Sequence, residues 1–319
     1  MRKEGISITH DTFEGCRDAA ISTRRQWAIE HPAVVGRPSM TLKAAIERFL
    51  AERGPLISPS TLREYKSYFR CYFQDCLTWD IFDPDLNWQV AITKEFERGL
   101  SAKTVRNAWG LCTAAMTYCK AQKPLVVLPR GAREDRPWLT YQQIPVFVQG
   151  IEGKSWEIGA LLALHSLRLS EALAVRPCNI SSDHETLRVR GARVLNSDGE
   201  MVYKELGKTD ASRREVPVVI PRLKTLLEMV DPEAEFVYNA CNRNLYKQVN
   251  TACRSLGLPE VGVHGLRHSF ASLAYHLGWK ELSTMQIGGW KSSRVVHEIY
   301  THNADLEADI QRMKDHYKA

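Results

Sequence analysis

At 319 residues the chain exceeds the usual size of one domain, so two are expected, and 44% hydrophobic with 25% charged residues excludes a disordered or fibrous protein. A formal charge of +6 leans toward an acidic partner without requiring one. Eight cysteines, at 16, 71, 76, 112, 119, 178, 241 and 253, form neither metal-ligand pairs nor a disulfide scaffold, and no apolar run is long enough for a signal peptide or a membrane span. Reduced, mostly buried thiols, no membrane association and a cytoplasmic location are the expectation.

Residues 1–40 hold one amphipathic helical stretch, Asp11 to Glu30, followed by a break at His31-Pro32 and Gly36-Arg37-Pro38; they read as an N-terminal arm or adaptor helix. Residues 41–122 carry strong helical patterns. Thr41 to Arg53 places Leu42, Ala45, Ile46, Phe49 and Leu50 on one face; Ser60 to Leu77 is rich in aromatics; Ser101 to Lys120 is the longest, with a weaker pattern at Trp88 to Glu97. Ser58-Pro-Ser60-Thr61 and Ser101 offer hydroxyl caps, and a four-helix unit follows. From Arg98 to Arg133 seven basic residues occur with no Asp or Glu, a surface suited to a polyanion. Lys103, Thr104, Arg106 and Asn107 on the last helix are the candidates for groove contact, with Lys120 beyond them. Pro124, Pro129, Gly131 and Pro137 break the periodicity, so residues 123–136, with Lys123, Arg130 and Arg133, read as a basic interdomain linker.

A second domain, 137–319, opens with Thr140-Tyr-Gln-Gln143, a capping-box pattern. Trp156 to Val175 is apolar and helical, interrupted at His165-Ser166-Leu167-Arg168. Leu187 to Gly191 alternates, Asn196-Ser-Asp198-Gly199 signals a turn, and Met201 to Leu206 and Glu215 to Ile220 are further strands; a small antiparallel sheet is thus set into a helical domain. The remainder is helical, with breaks at Gly257-Leu-Pro259, Gly278 and Gly288-Gly289. The fold class is therefore mainly α with a small antiparallel β-sheet in the C-terminal domain.

Several side chains in this domain suit phosphate chemistry. Arg168, between leucines at a helix break, must be paired or face a ligand, because a lone buried guanidinium is very costly. Glu171, three positions on, is the candidate partner; the pair and a phosphate contact are compatible. Lys208, in the loop between the second and third strands, is either a proton donor reaching a groove or part of a solvated hairpin with Glu205, Asp210, Arg213, Arg214 and Glu215. His264 and Arg267 lie one turn apart near a helix start, where backbone N–H groups add to the donors around an anion. His264 and His268 have the spacing of a zinc pair, but no Glu follows the first His and no third ligand set is evident, so no metal is expected; His268 also fits as a core histidine. Tyr300 gains meaning only from these companions.

Arg168 in Leu-Arg-Leu-Ser-Glu-Ala-Leu, Lys208 in Gly-Lys-Thr-Asp-Ala-Ser-Arg-Arg-Glu-Val-Pro, the run His264-Gly-Leu-Arg267-His-Ser-Phe, Trp290 in Gly-Gly-Trp-Lys-Ser and Tyr300 in Ile-Tyr-Thr-His together resemble the tyrosine recombinase (phage integrase) family. The resemblance spans nearly all of the second domain, and residues 41–122 resemble the family's core-binding domain. Two departures stand out: Trp290 lies ten residues before Tyr300 where members commonly have nine, and Ser166 occupies a position often held by Gly, a change expected to matter little.

The resemblance implies a site-specific DNA recombinase, a phage or mobile-element integrase, working without cofactor through a 3′-phosphotyrosine and a Holliday junction. Arg168 and Arg267 would hold the scissile phosphate, Tyr300 would attack it, Lys208 would protonate the leaving oxygen, His264 would assist proton transfer and Trp290 would contact the phosphate, with Glu171 and His268 in support. Implied partners are double-stranded DNA attachment sites and three further copies of the chain in a tetramer on DNA, with a DNA-bending protein and a directionality factor as accessories. Leu306, Ile310, Met313 and Tyr317 recur at helical spacing, either docking on their own chain or, as the resemblance implies, on a neighbouring protomer.

Overall fold

Helical periodicity governs most of the chain, and each break in it has an identifiable cause. The structure is a computed structural model and describes residues 12–30, 39–131, 137–206, 213–240, 242–294, 296–297, 311 and 313–314. Met1–Arg133 with Asn196–Asp198 group into one compact unit, and Glu134–Leu195 with Gly199–Ala319 into a second.

In the first unit, α1 (Phe13–Glu30) leaves most of its described side chains exposed. The next helix, α2 (Leu42–Arg53), starts behind Thr41, whose hydroxyl accepts the Ala44 N–H at 3.2 Å, and buries Leu42, Ala45 and Ile46. The aromatic-rich stretch expected to run to Leu77 stops earlier, as α3 (Pro59–Cys71), and Ser58 makes no side-chain cap bond to it. Periodicity loses there to tertiary bonding: Phe73 adopts a left-handed backbone (φ 56°) and donates its N–H to buried Glu95 at 2.7 Å. Two further helices, α4 (Trp88–Glu97) and α5 (Ala102–Tyr118, capped by Ser101), complete the unit. Phe73, Trp88 and Trp109 meet in its core, the two indoles 5.7 Å apart and Phe73 5.6 Å from Trp109. Truncating a buried ring of that size typically costs about 3–5 kcal/mol.

The second unit begins with α6 (Gln143–Gly150). Its helix starts two residues later than the capping-box pattern suggests, although Thr140 still donates its N–H to Gln143 Oε1 at 3.0 Å. Two helices follow, α7 (Glu157–Leu164), buried at nearly every position, and the single turn α8 (Leu169–Ala172). The strands form two separate two-stranded antiparallel ladders rather than one sheet. In the first, β1 (Thr186–Val189) pairs with β4 (Arg214–Pro217); in the second, β2 (Gly191–Leu195) pairs with β3 (Met201–Glu205). Only Arg190 separates β1 from β2. A Cβ at Gly191 would lie 2.4 Å from the Tyr203 ring, so the close approach there requires glycine. The turn from β2 to β3 is closed by Asn196 Oδ1, which accepts the Asp198 N–H at 2.9 Å.

The remaining helices are α9 (Pro221–Glu228), α10 (Asn242–Ser255), α11 (Gly262–His276) and α12 (Glu281–Gly288). The core joins Leu161 and Leu162 of α7, Leu187 of β1, Val216 of β4, Leu245 and Val249 of α10 and Leu266 of α11. No described helix is long and apolar enough to cross a membrane. Of the described cysteines only Cys76, Cys112 and Cys253 are buried; Cys71 and Cys178 are exposed, so the expectation of mostly buried thiols does not hold.

Candidate active site

The break between α7 and α8 positions the first arginine. Helix α7 ends at Leu164, and Ser166 then takes a left-handed backbone, φ 77°, while remaining fully buried. For a residue with a Cβ this conformation costs roughly 1 kcal/mol, which glycine at this position would avoid. Leu167, fully buried, anchors the turn, and Arg168 becomes the N-cap of α8.

Glu171 is the hub of the site. Its Oε1 accepts from Arg168 Nη1 at 2.6 Å, and its Oε2 accepts the Arg168 backbone N–H at 2.9 Å and Arg214 Nη2 at 3.0 Å. Burial would raise the Glu171 carboxyl, but the charges of Arg214 and Arg168 and their hydrogen bonds outweigh it and hold the group below the usual carboxylate range. The arginines also grip the last turn of α12 and its C-cap. Arg168 Nη2 donates to the Gly289 carbonyl at 2.6 Å, and Arg214 Nε donates to the Ile287 carbonyl at 2.7 Å. Gly289 has φ 65°, and a Cβ on it would lie 2.9 Å from Arg214 Nη1, so both conformation and space require glycine.

The second predicted arginine lies on α11. Arg267 is only 2% exposed; its Nη1 donates to the Ser166 carbonyl, and its guanidinium sits 4.2 Å from the centre of the Trp290 ring. Burial, with Arg168 and Arg214 adding repulsion against a smaller pull from Glu171, pushes Arg267 down to about 9. It therefore stays charged at neutral pH, and no carboxylate among the described residues forms an ion pair with it, the condition in which an anion binds best. Trp290 packs beside Arg267 in a cation–π contact. Gly288 lies against the indole, where a Cβ would clash at 1.9 Å.

His264, in the first turn of α11, is exposed, and its ring stands perpendicular to that of partly buried His268 at 4.6 Å. No group of three or more His, Cys, Asp or Glu side chains that could hold a metal occurs among the described residues. The expected supply of helix-end N–H groups is reduced, because Asn250 Oδ1 already takes the Gly262 N–H at 2.8 Å. An open groove of about 520 Å³ borders the site, lined by Arg213, Arg214, Met285, Gly289 and Trp290 among others. Around the Glu171 hub, among the described residues, three guanidiniums thus face one carboxylate.

The sequence profile of the phage integrase family matches residues 138–307, a span holding both predicted arginines, Glu171, Trp290 and Tyr300. The chain belongs to that family. This recombinase has the fold of the Tn1549 transposon integrase (aa 82–397, Y379F) in complex with transposon right end DNA, at TM-score 0.68 and 17% identity, covering 86% of this chain and 99% of that one. A lambda integrase dimer bound to a COC′ core site matches at TM-score 0.56 and 15% identity over 89% of this chain and 87% of its own. XerH site-specific recombinase bound to palindromic difH matches at TM-score 0.53 and 16% identity, over 86% and 95%. No curated protein sequence matches the chain.

Of the residues singled out in the recombinase sequence, Arg168, Glu171, Arg267 and Trp290 converge, with His264 and His268 on the helix that carries Arg267. Lys208, Tyr300 and Arg133 lie outside the described residues, as do Leu306, Ile310 and Tyr317 of the tail; Met313 is described and exposed. On α5, Lys103, Arg106 and Asn107 are exposed, while Thr104 is half-buried with its amide and hydroxyl engaged by Ser101. Lys120, Lys123 and Arg130 are exposed.

Arg214 is the residue that the sequence reading missed. It reads as part of a solvated hairpin because Arg213 and Glu215 flank it, yet β3 and β4 belong to different ladders and Arg214 is buried. The signal was the strand period: Arg214, Val216 and Val218 alternate onto one buried face, one residue earlier than the strand start expected at Glu215.

Proposed function

We propose that this tyrosine recombinase is the integrase of a phage or mobile element and cuts and rejoins DNA at specific sites through a 3′-phosphotyrosine on Tyr300 and a Holliday junction. The observation that carries the reading is the charge imbalance at the Glu171 hub, where Arg168, Arg214 and Arg267 outnumber the carboxylate by two. A phosphodiester bears one negative charge, and in-line attack by a phenolate builds a second onto the pentacoordinate transition state. Preorganised guanidiniums in a water-poor site stabilise that growth most.

Arg168 and Arg267 hold the non-bridging oxygens. The Tyr300 hydroxyl gives up its proton with help from His264 and bonds to phosphorus; the bond to the 5′ oxygen breaks, and Lys208 protonates that oxygen. A 5′-hydroxyl from a second duplex then displaces the tyrosine, so bond energy is conserved without ATP. Trp290 acts through the face it presents to Arg267.

Residues 41–122 and 137–319 would grip the duplex as core-binding and catalytic domains joined by the basic linker 123–136, and four protomers would assemble on paired attachment sites through segment 304–319. Exposed Lys103, Arg106, Asn107, Lys120, Lys123 and Arg130 supply positive charge for this, so binding should weaken steeply with salt. The similar folds of a transposon integrase with its transposon DNA and of a site-specific recombinase on its own site support a DNA partner.

The test uses nicked duplexes tiled across the DNA flanking the gene, with the nick beside the scissile phosphate so that the released fragment diffuses away. Wild-type protein should form a denaturant-resistant adduct and Tyr300→Phe none. An adduct that survives the substitution would sink the assignment. Exchange between two duplexes, rather than relaxation of supercoils alone, is the second expected result.

A further inference from the structure

Arg214 supplies charge but touches no reacting group in the mechanism above, and two of its side-chain bonds go to the parts that do. Its position at the start of β4, opposite Val189, is interior, and a buried strand position of this kind is ordinarily filled by an apolar residue. Burying a guanidinium there is costly unless its hydrogen bonds are well placed. Those bonds go to two segments far apart in sequence. Nη2 reaches Glu171, the carboxylate that holds Arg168, and Nε reaches the Ile287 carbonyl in the turn leading to Trp290 and onward toward Tyr300. Gly289 is moulded against the same guanidinium, and Arg168 closes the ring by bonding the Gly289 carbonyl.

We propose that Arg214 is a positioning residue for strand cleavage, a two-ended clamp that fixes the Glu171–Arg168 pair relative to the 287–290 turn. The proposal rests on the recombinase reading. It assigns Arg214 to the arm that binds the phosphate and leads to the nucleophile, although the residue also ends the connection that carries Lys208. Guanidinium geometry is essential, because two bonds in different directions need a planar fork that lysine lacks.

The experiment measures single-turnover cleavage of the nicked duplex at saturating DNA, with full-length protein and its DNA affinity recorded in parallel. Arg214→Gln should cleave about 100-fold more slowly with its dissociation constant within about threefold of wild type, since misplacing a reacting group by an ångström has that order of effect. Arg214→Lys should recover only part of the rate. In a Glu171→Gln background, Arg214→Gln should add little further loss, because both act through one network. A substrate with sulfur at the 5′ bridging position, whose thiolate leaves without protonation, should restore Lys208→Ala and leave Arg214→Gln slow. Cleavage by Arg214→Gln within about twofold of wild type, multiplicative losses in the double variant, or rescue of Arg214→Gln by the bridging sulfur would each overturn the proposal. If Arg214→Gln shows no cooperative melting transition, Arg214→Lys decides: a wild-type rate overturns the clamp and a slower rate supports it. Failure of the underlying reading is distinct, since wild-type protein would then form no adduct at all.

Discussion

Glu95 in the first unit of this recombinase and Glu171 in the second are buried carboxylates that each accept a backbone N–H where a helix breaks, and the two are used differently. Glu95, in the helical unit, accepts the Phe73 N–H at 2.7 Å and pairs with half-exposed Arg98 at 2.7 Å, so one charge meets one charge and the site is complete. Glu171 also accepts a backbone N–H, that of Arg168, but gathers two arginines and lies beside a third. The first carboxylate stitches a fold together. The second serves as a scaffold for excess cation, the charge that the proposed phosphate contact would answer: natural folds rarely bury unbalanced charge without a use for it.

Three substitutions would break or sharpen this contrast. Arg267→Ala should have the largest effect, about a 1000-fold loss of adduct formation in single-turnover cleavage, because in the proposed mechanism it supplies a donor to transition-state charge. Next, Glu171→Gln should slow cleavage about 100-fold at saturating DNA, whereas Glu95→Ala should lower unfolding free energy in urea by about 1–3 kcal/mol and leave cleavage per folded molecule unchanged. The reverse pattern would erase the distinction between stitch and scaffold.

A last prediction, which leaves cleavage aside, concerns His165, fully buried between α7 and Ser166, whose Nε2 accepts the Val219 N–H at 2.9 Å. Burial, with a contribution from Arg214, pushes its imidazole down to about 4 from an ordinary 6.5. The unfolded chain therefore takes up the proton first. Stability from this group is intact above pH 6.5 and is lost as pH falls toward 4. His165→Gln keeps an acceptor for Val219 without the titration, so between pH 7 and 4 the wild type should lose roughly 2–3 kcal/mol more than the variant in urea unfolding. Equal losses would remove His165 as the acid-sensitive element.

How far the sequence could be read depended on whether a feature was local. Ser101 as a helix cap, the break at His165 to Arg168 and the Arg168–Glu171 pair are all set within a few residues, and each is found as expected. Where distant residues decide, local pattern misleads. Ser60 to Leu77 has helical spacing, but the carboxylate of Glu95, 22 positions beyond Phe73, ends the helix early. The stack of Arg267 on Trp290 and the burial of Arg214 likewise depend on the fold bringing α11, β4 and the Gly289 turn together.

The left-handed backbone at Ser166 has a consequence for which mutations the recombinase can accept. Its φ of 77° aims the carbonyl that receives the Arg267 guanidinium, so the residue is constrained by a bond its side chain does not make. Glycine or asparagine would keep that aim, whereas valine, isoleucine or threonine would resist the conformation through their branched Cβ. Variation at position 166 is thus filtered by the backbone geometry that Arg267 requires, in addition to the bond that the Ser166 hydroxyl donates to the Ile287 carbonyl at 3.4 Å.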